Sequence, residues 1–176
     1  GFEPGILMID EGWHTRYGQW KFDFHKFPDP KAMIDELHSL GFTVMLWVTP
    51  MVTADGVDFC KATGALFNPE GYDKLFLRNK AGNVALIEWW NGYSAILDLR
   101  KECDRRYLSK RLDFLIKEYD VDGFRFDLMG LIDTKTMSEL TTELRNEIDP
   151  SLIIYGEPWQ AGGSALPQEQ QTLKGS

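Results

Sequence analysis

Short apolar runs recur along the chain, and each stops at a polar or turn-forming residue. Ile6-Leu7-Met8-Ile9 ends at Asp10, and so short a run without a helical period predicts a buried strand. Asp29-Pro30 then predicts a helix start, with Asp29 as cap and Pro30 in the first turn. Met33, Leu37 and Leu40 give that helix an apolar stripe, and Gly41 closes it. Phe42 to Val48 reads as the next buried strand, stopped by Pro50. Residues 51–94 are less regular: a short helix near 55–63, then a long loop with turns at Asn68-Pro69-Glu70-Gly71 and Lys80-Ala81-Gly82-Asn83.

The second half is more strongly patterned. Ala95-Ile96-Leu97-Asp98 is a short extended piece. A helix over 101–119 follows, with Cys103, Tyr107, Leu108, Leu112, Leu115, Ile116 and Tyr119 on one face. Asp122-Gly123 turns into a strand, Phe124-Arg125-Phe126-Asp127. Asp133 caps a further helix carrying Met137, Leu140, Leu144 and Ile148 inward, and Leu152 to Glu157 is the last strand. Alternating strands and helices with apolar strands predict an α/β fold, a parallel sheet with helices outside. A barrel and an open doubly wound sheet both satisfy this pattern. No Gly-rich phosphate loop follows any strand, which weighs against a nucleotide-binding open sheet.

Length sharpens the picture. An eight-stranded barrel takes about 250 residues, so 176 predict a partial one. Gly1 at the start, and Thr172 to Ser176 with no structural stop, read as cut ends of one catalytic barrel domain. The remaining barrel strands of a full-length protein are then expected partners. A formal charge of −8, from 27 acidic and 19 basic residues, disfavours nucleic acid and anionic membrane surfaces. No apolar run approaches the roughly 20 residues of a membrane helix. Cys60 and Cys103 fit no metal motif and no disulfide scaffold. Neither a metal nor a cofactor is expected, and nothing points to a compartment.

Candidate chemistry sits at the strand ends. Asp10, Asp98, Asp127 and Glu157 each close an extended segment, and in a barrel the C-terminal strand ends form the active-site face. Glycoside hydrolysis needs two carboxyl groups flanking the scissile bond, about 5–5.5 Å apart in retaining enzymes. Neighbouring strands are about 4.8 Å apart, so Asp127 and Glu157, separated by one helix, are the natural pair. Arg125 and Trp159 flank them. The plainer alternative makes each acid a helix cap or a solvated loop residue. Trp13, Trp47, Trp89 and Trp90 read equally as sugar-stacking platforms or as core, and His14, His25 and His38 as ordinary loop or helix-end residues. A non-catalytic carbohydrate-binding or incomplete barrel fragment is one rival. A Mg²⁺-dependent enolase-type lyase using Asp98, Asp127 and Glu157 is another, disfavoured because no strand offers a Lys-x-Lys base.

Two resemblances extend this reading. Asp122 to Gly130, with Ile148-Asp149-Pro150-Ser151, Tyr155 to Trp159 and Ala165-Leu166-Pro167, resembles glycoside hydrolase family 13, the α-amylase family, and its type I pullulanases in particular. The likeness covers about residues 105–176. It implies Asp127 as nucleophile, Arg125 orienting it, and Glu157 as general acid/base. Residues 1–100 resemble glycoside hydrolase family 31, the α-glucosidase and α-xylosidase family, through Ile9 to Trp13, Tyr17 to Trp20, Phe27 to Pro30, Leu46-Trp47-Val48, Trp89 to Gly92 and Leu97-Asp98-Leu99. That likeness implies a sugar subsite at Asp10, Trp13, Trp47 and Trp90; Asp98 and Trp159, at or near strand ends, are read as further substrate contacts. The two likenesses meet near residues 100–120, where a chimeric junction would fall. The family 13 Asn-His pair is replaced by Val48-Thr49-Pro50, and Leu128-Met129-Gly130 stands where family 31 usually has an acid. Both families imply a (β/α)₈ barrel, an α-glucan or α-glucoside substrate, and a retaining double displacement. Such a mechanism requires Glu157 to titrate high, through burial beside Trp159 and Asp127, while Arg125 keeps Asp127 ionised.

Overall fold

The computed structural model describes residues 3–53, 75–89 and 92–175. Among these described residues, seven strands and three α-helices follow in the order β1 (Ile6–Ile9), α1 (Pro30–Ser39), β2 (Thr43–Val48), β3 (Met51–Thr53), β4 (Leu86–Trp89), β5 (Gly92–Ile96), α2 (Glu102–Tyr119), β6 (Gly123–Phe126), α3 (Thr134–Glu147) and β7 (Ile153–Gly156). Strands β1-β2-β6-β7 form one parallel sheet, and β3-β5-β4 a separate antiparallel one. The parallel sheet with its crossover helices is the arrangement expected of a partial (β/α) barrel.

Local chemistry sets the helix starts. The Asp29 carboxylate accepts from the Ala32 N–H at 3.0 Å, with Pro30 in the first turn. Asp133 accepts from the Thr136 N–H at 3.0 Å and from the Thr136 hydroxyl at 2.6 Å. Helix α2 stops at Asp120, which turns left-handed at φ 62° and returns its N–H to the Ile116 carbonyl at 2.8 Å. Asp122 then pins the start of β6. Its Oδ2 accepts from the Val44 N–H at 2.6 Å and lies 2.8 Å from His38 Nε2 at the end of α1.

The central strands are the most buried, because β1 and β7 each have one strand neighbour among the described residues. Val44, Leu46 and Val48 of β2 and Phe124 and Phe126 of β6 form the centre of the core. Helix α2 contacts both α1 and α3 and buries Leu108, Leu112, Leu115 and Ile116. It also buries Asp104, which lies on the same stripe as Leu108 and Leu112.

The described part of residues 51–94 differs from the long loop expected. The antiparallel sheet occupies much of the described part, and bridges Phe76↔Leu97 and Arg78↔Val84 extend it. Its strands are too short for a period to emerge, and their pairing is set by tertiary contact. The turn at 80–83 forms as expected: Asn79 Oδ1 accepts from the Ala81 and Asn83 N–H groups at 3.0 and 3.1 Å. The helix expected near 55–63, the turn at 68–71, Cys60 and Trp90 lie outside the described residues. No helix among the described residues is long and apolar enough to cross a membrane.

Candidate active site

Strands β6 and β7 run parallel with Phe126 opposite Gly156. The next residues in each strand direction are Asp127 and Glu157, so register brings the two acids to one level on adjacent strand ends. Backbone bonds extend the alignment past the strands. The Asp127 N–H donates to the Val48 carbonyl at 2.8 Å, and the Glu157 N–H donates to the Phe126 carbonyl at 3.0 Å. Arg125 lies two residues before Asp127 and therefore on the same face of β6. Its Nη2 donates to Glu157 Oε1 in an ion pair.

The electrostatics follow from burial and proximity. Asp127 is buried, and desolvation is the main force raising its carboxyl to about 7. A hydrogen bond to Glu157 and the charge on Glu157 push the same way, and Arg125 opposes them. Glu157 is held below the usual carboxylate range, first by the hydrogen bond from Asp127 and then, against some desolvation, by Arg125. The two carboxyls are hydrogen-bonded and titrate as a coupled pair, Asp127 pushed up and Glu157 pushed down. This corrects the expectation in two respects. Glu157 titrates low, not high, because Asp127 hydrogen-bonds to it and Arg125 pairs with it. Arg125 makes its ion pair with Glu157, not with Asp127.

The remaining expected residues divide. Asp10 directly follows β1 and accepts from the Glu11 N–H at 2.7 Å. Trp159 is 55% exposed, so its ring is open to a ligand. Trp13 and Trp47, expected as sugar platforms, are instead 1% and 2% exposed. Their burial has a specific cause: Trp13 Nε1 donates to the Trp47 carbonyl at 2.8 Å, and His14, Tyr17 and Phe22 pack around the two rings. Asp98, expected to bind substrate from a barrel strand, follows the antiparallel sheet. Both its oxygens are engaged by Arg100, at 2.7 and 2.9 Å. His14, read as a polar-loop residue, is a buried histidine pushed down to about 4 by desolvation and by Lys26. Its position between two aromatic neighbours, Trp13 and Tyr17, is the signal in the sequence that points to burial.

A cleft of about 870 Å³ opens between β4 and the segment 161–167 that follows Trp159. Leu86, Glu88, Ser164 and Leu166 line it, while Asp127 and Glu157 do not. One group of potential cation ligands occurs among the described residues, Asp35, His38 and Asp120, away from the carboxyl pair.

Known proteins resemble this chain in sequence and fold. The model of the glycosyl hydrolases family 31 TIM-barrel domain matches residues 4–154. The myogenesis-regulating glycosidase of Mus musculus is 35% identical over 128 residues, 72% of this chain and 17% of that protein. The 1,3-alpha-isomaltosidase of Kribbella flavida is 32% identical over 110 residues, 57% of this chain and 14% of its own. A crystal structure of the pullulanase from Paenibacillus barengoltzii, in complex with maltohexaose and alpha-cyclodextrin, is 31% identical with a TM-score of 0.63. It covers 82% of this chain and 21% of that one. The chain therefore spans only a small part of the length of the relatives it matches.

Proposed function

The chain belongs to glycosyl hydrolase family 31, and we propose that it supplies the nucleophile of a retaining α-glycosidase acting on α-glucans or α-glucosides. The observation that carries this reading is the Asp127–Glu157 pair, set side by side on in-register strand ends and hydrogen-bonded to each other. The maltohexaose held by the pullulanase neighbour supports an oligosaccharide substrate. Residues 1–176 form part of one catalytic barrel, and further strands join at the open sides of β1 and β7.

Asp127 attacks the anomeric carbon as the glycosidic C–O bond breaks, and Glu157 gives its proton to the departing oxygen. Water then attacks the glycosyl-enzyme, passing a proton back to Glu157 and releasing Asp127 with retained configuration. In the free site it is Asp127 that is pushed up and Glu157 that is pushed down. A sugar seated between the two breaks their hydrogen bond, and positive charge growing at the anomeric carbon favours ionised Asp127. Binding and proton transfer to Glu157 are thus linked. Exposed Trp159 offers a stacking face beside Glu157, and Asp10 a polar contact at the β1 end. Asp127→Asn is expected to remove nearly all turnover with an unchanged circular dichroism spectrum, and full activity in that variant refutes the assignment.

A second reading is favoured by the Arg125–Glu157 ion pair and by a family match that stops at residue 154. In it Glu157 is a charged partner of Arg125, and another strand supplies the acid/base. Glu157→Gln separates the two. If Glu157 is the acid, the variant loses far more activity on poor leaving groups than on activated aryl glycosides, and azide rescues the second step. Equal losses on both substrate types favour the second reading.

A further inference from the structure

The turn after Asp127 is held by backbone contacts that the mechanism above does not use. Leu128 is buried and left-handed, at φ 49° and ψ 49°, a conformation that a branched side chain adopts only when its surroundings enforce it. The reversal it makes aims the next two N–H groups at the segment carrying Glu157. Met129 N–H donates to the Glu157 carbonyl, and Gly130 N–H donates to the Trp159 carbonyl, both at 2.9 Å. The second contact needs a residue without a side chain. A Cβ on Gly130 would meet the Trp159 carbonyl oxygen at 2.6 Å and its carbon at 2.7 Å, with Leu173 Cδ2 at 3.0 Å. Its φ is not in the left-handed region, so the requirement is one of space alone.

We propose that Gly130 is a positioning residue, whose missing side chain lets segment 157–159 dock through its backbone onto the turn after Asp127 and so fixes the spacing of the two carboxyls. This rests on the reading of Asp127 and Glu157 as the reacting pair. Neither Arg125 nor Trp159 is able to set that spacing alone, because Arg125 reaches Glu157 through a long, flexible side chain and the Trp159 ring is largely exposed. The Met129 bond acts next to the Glu157 Cα, and the Gly130 bond holds the same segment two residues further on, at Trp159. A shift of segment 157–159 there carries the carboxyl with it.

The test is Gly130→Ala in the native full-length protein, with Leu173→Ala, the double variant, and Gly5→Ala as control, because nothing lies within 4 Å of a Cβ at Gly5. Two quantities are read: kcat and KM on an aryl α-glucoside, and the Asp127 carboxyl titration by difference infrared spectroscopy against Asp127→Asn. Gly130→Ala is expected to lower kcat about 100-fold, the effect of roughly 1 Å of misplacement, with KM changed far less. It is also expected to move the Asp127 titration down from about 7 as Glu157 withdraws. The double variant relieves the Leu173 contact and leaves the Trp159 carbonyl contact, so it should be no better than Gly130→Ala. Rescue by Leu173→Ala, or an unchanged Asp127 titration in Gly130→Ala, overturns the proposal. The titration needs no turnover, so it separates this proposal from the mechanism: loss of the nucleophile assignment would show in Asp127→Asn and leave the infrared shift intact.

Discussion

Asp104 gives the sharpest test of the electrostatics. It is 1% exposed, and its Oδ2 has no hydrogen-bond partner among the described residues. Desolvation raises its carboxyl to about 7, with Asp98 adding to the effect and the Cys103 contact and Lys101 opposing it. The unfolded chain releases that proton near pH 4. Between about pH 4 and 7 the folded state therefore binds more protons than the unfolded state, and stability falls as pH rises through that window. At roughly 1.4 kcal/mol per pH unit, the full effect above pH 7 is about 4 kcal/mol. Asp104→Asn keeps the shape and removes the titration. Any fixed loss from burying the amide is the same at every pH, so the informative quantity is the variant-minus-parent difference. Urea unfolding at one-unit steps from pH 4 to 8 should show that difference moving in favour of the variant by up to about 4 kcal/mol. A difference constant across the range would refute the burial argument.

Further outcomes follow from other named contacts. Asp133→Ala removes the cap on α3 and should lower stability by about 1–2 kcal/mol in the same urea assay, and a change within error would show that the cap bonds contribute nothing. Arg125→Met removes the cation that holds both carboxyls down. Because Asp127 must be ionised to attack, the acid limb of the kcat/KM profile should move to higher pH. A limb that stays in place would show that Arg125 does not act on the pair.

The periodic half of the chain is legible in its residues alone. Asp29 and Asp133 are helix caps as read, and the runs read at 6–9, 42–48, 124–127 and 152–157 hold the four parallel strands, with ends shifted by at most a residue. Strand register makes Asp127 and Glu157 neighbours, which follows directly from both acids ending consecutive strands. Side-chain fates are less legible. Trp13 and Trp47 suit core and ligand equally well, and the choice rests on one indole-to-carbonyl bond spanning 34 positions. Asp104 is four residues before Leu108 on the buried stripe, so helical spacing holds the signal, but an acid in the first turn of a helix also reads as a dipole partner. The order of the two titrations is hidden for a different reason. It depends on which carboxyl is more buried and which one Arg125 reaches, and neither is encoded in spacing.

The role of Asp127 as nucleophile is open to direct trapping. The full-length protein is incubated with an α-configured cyclitol aziridine, which captures retaining α-glycosidase nucleophiles, and the adduct is mapped by peptide mass spectrometry. One adduct is expected, on Asp127, and it should be absent from Asp127→Asn. An adduct on another residue, or one that persists in Asp127→Asn, would contradict the assignment.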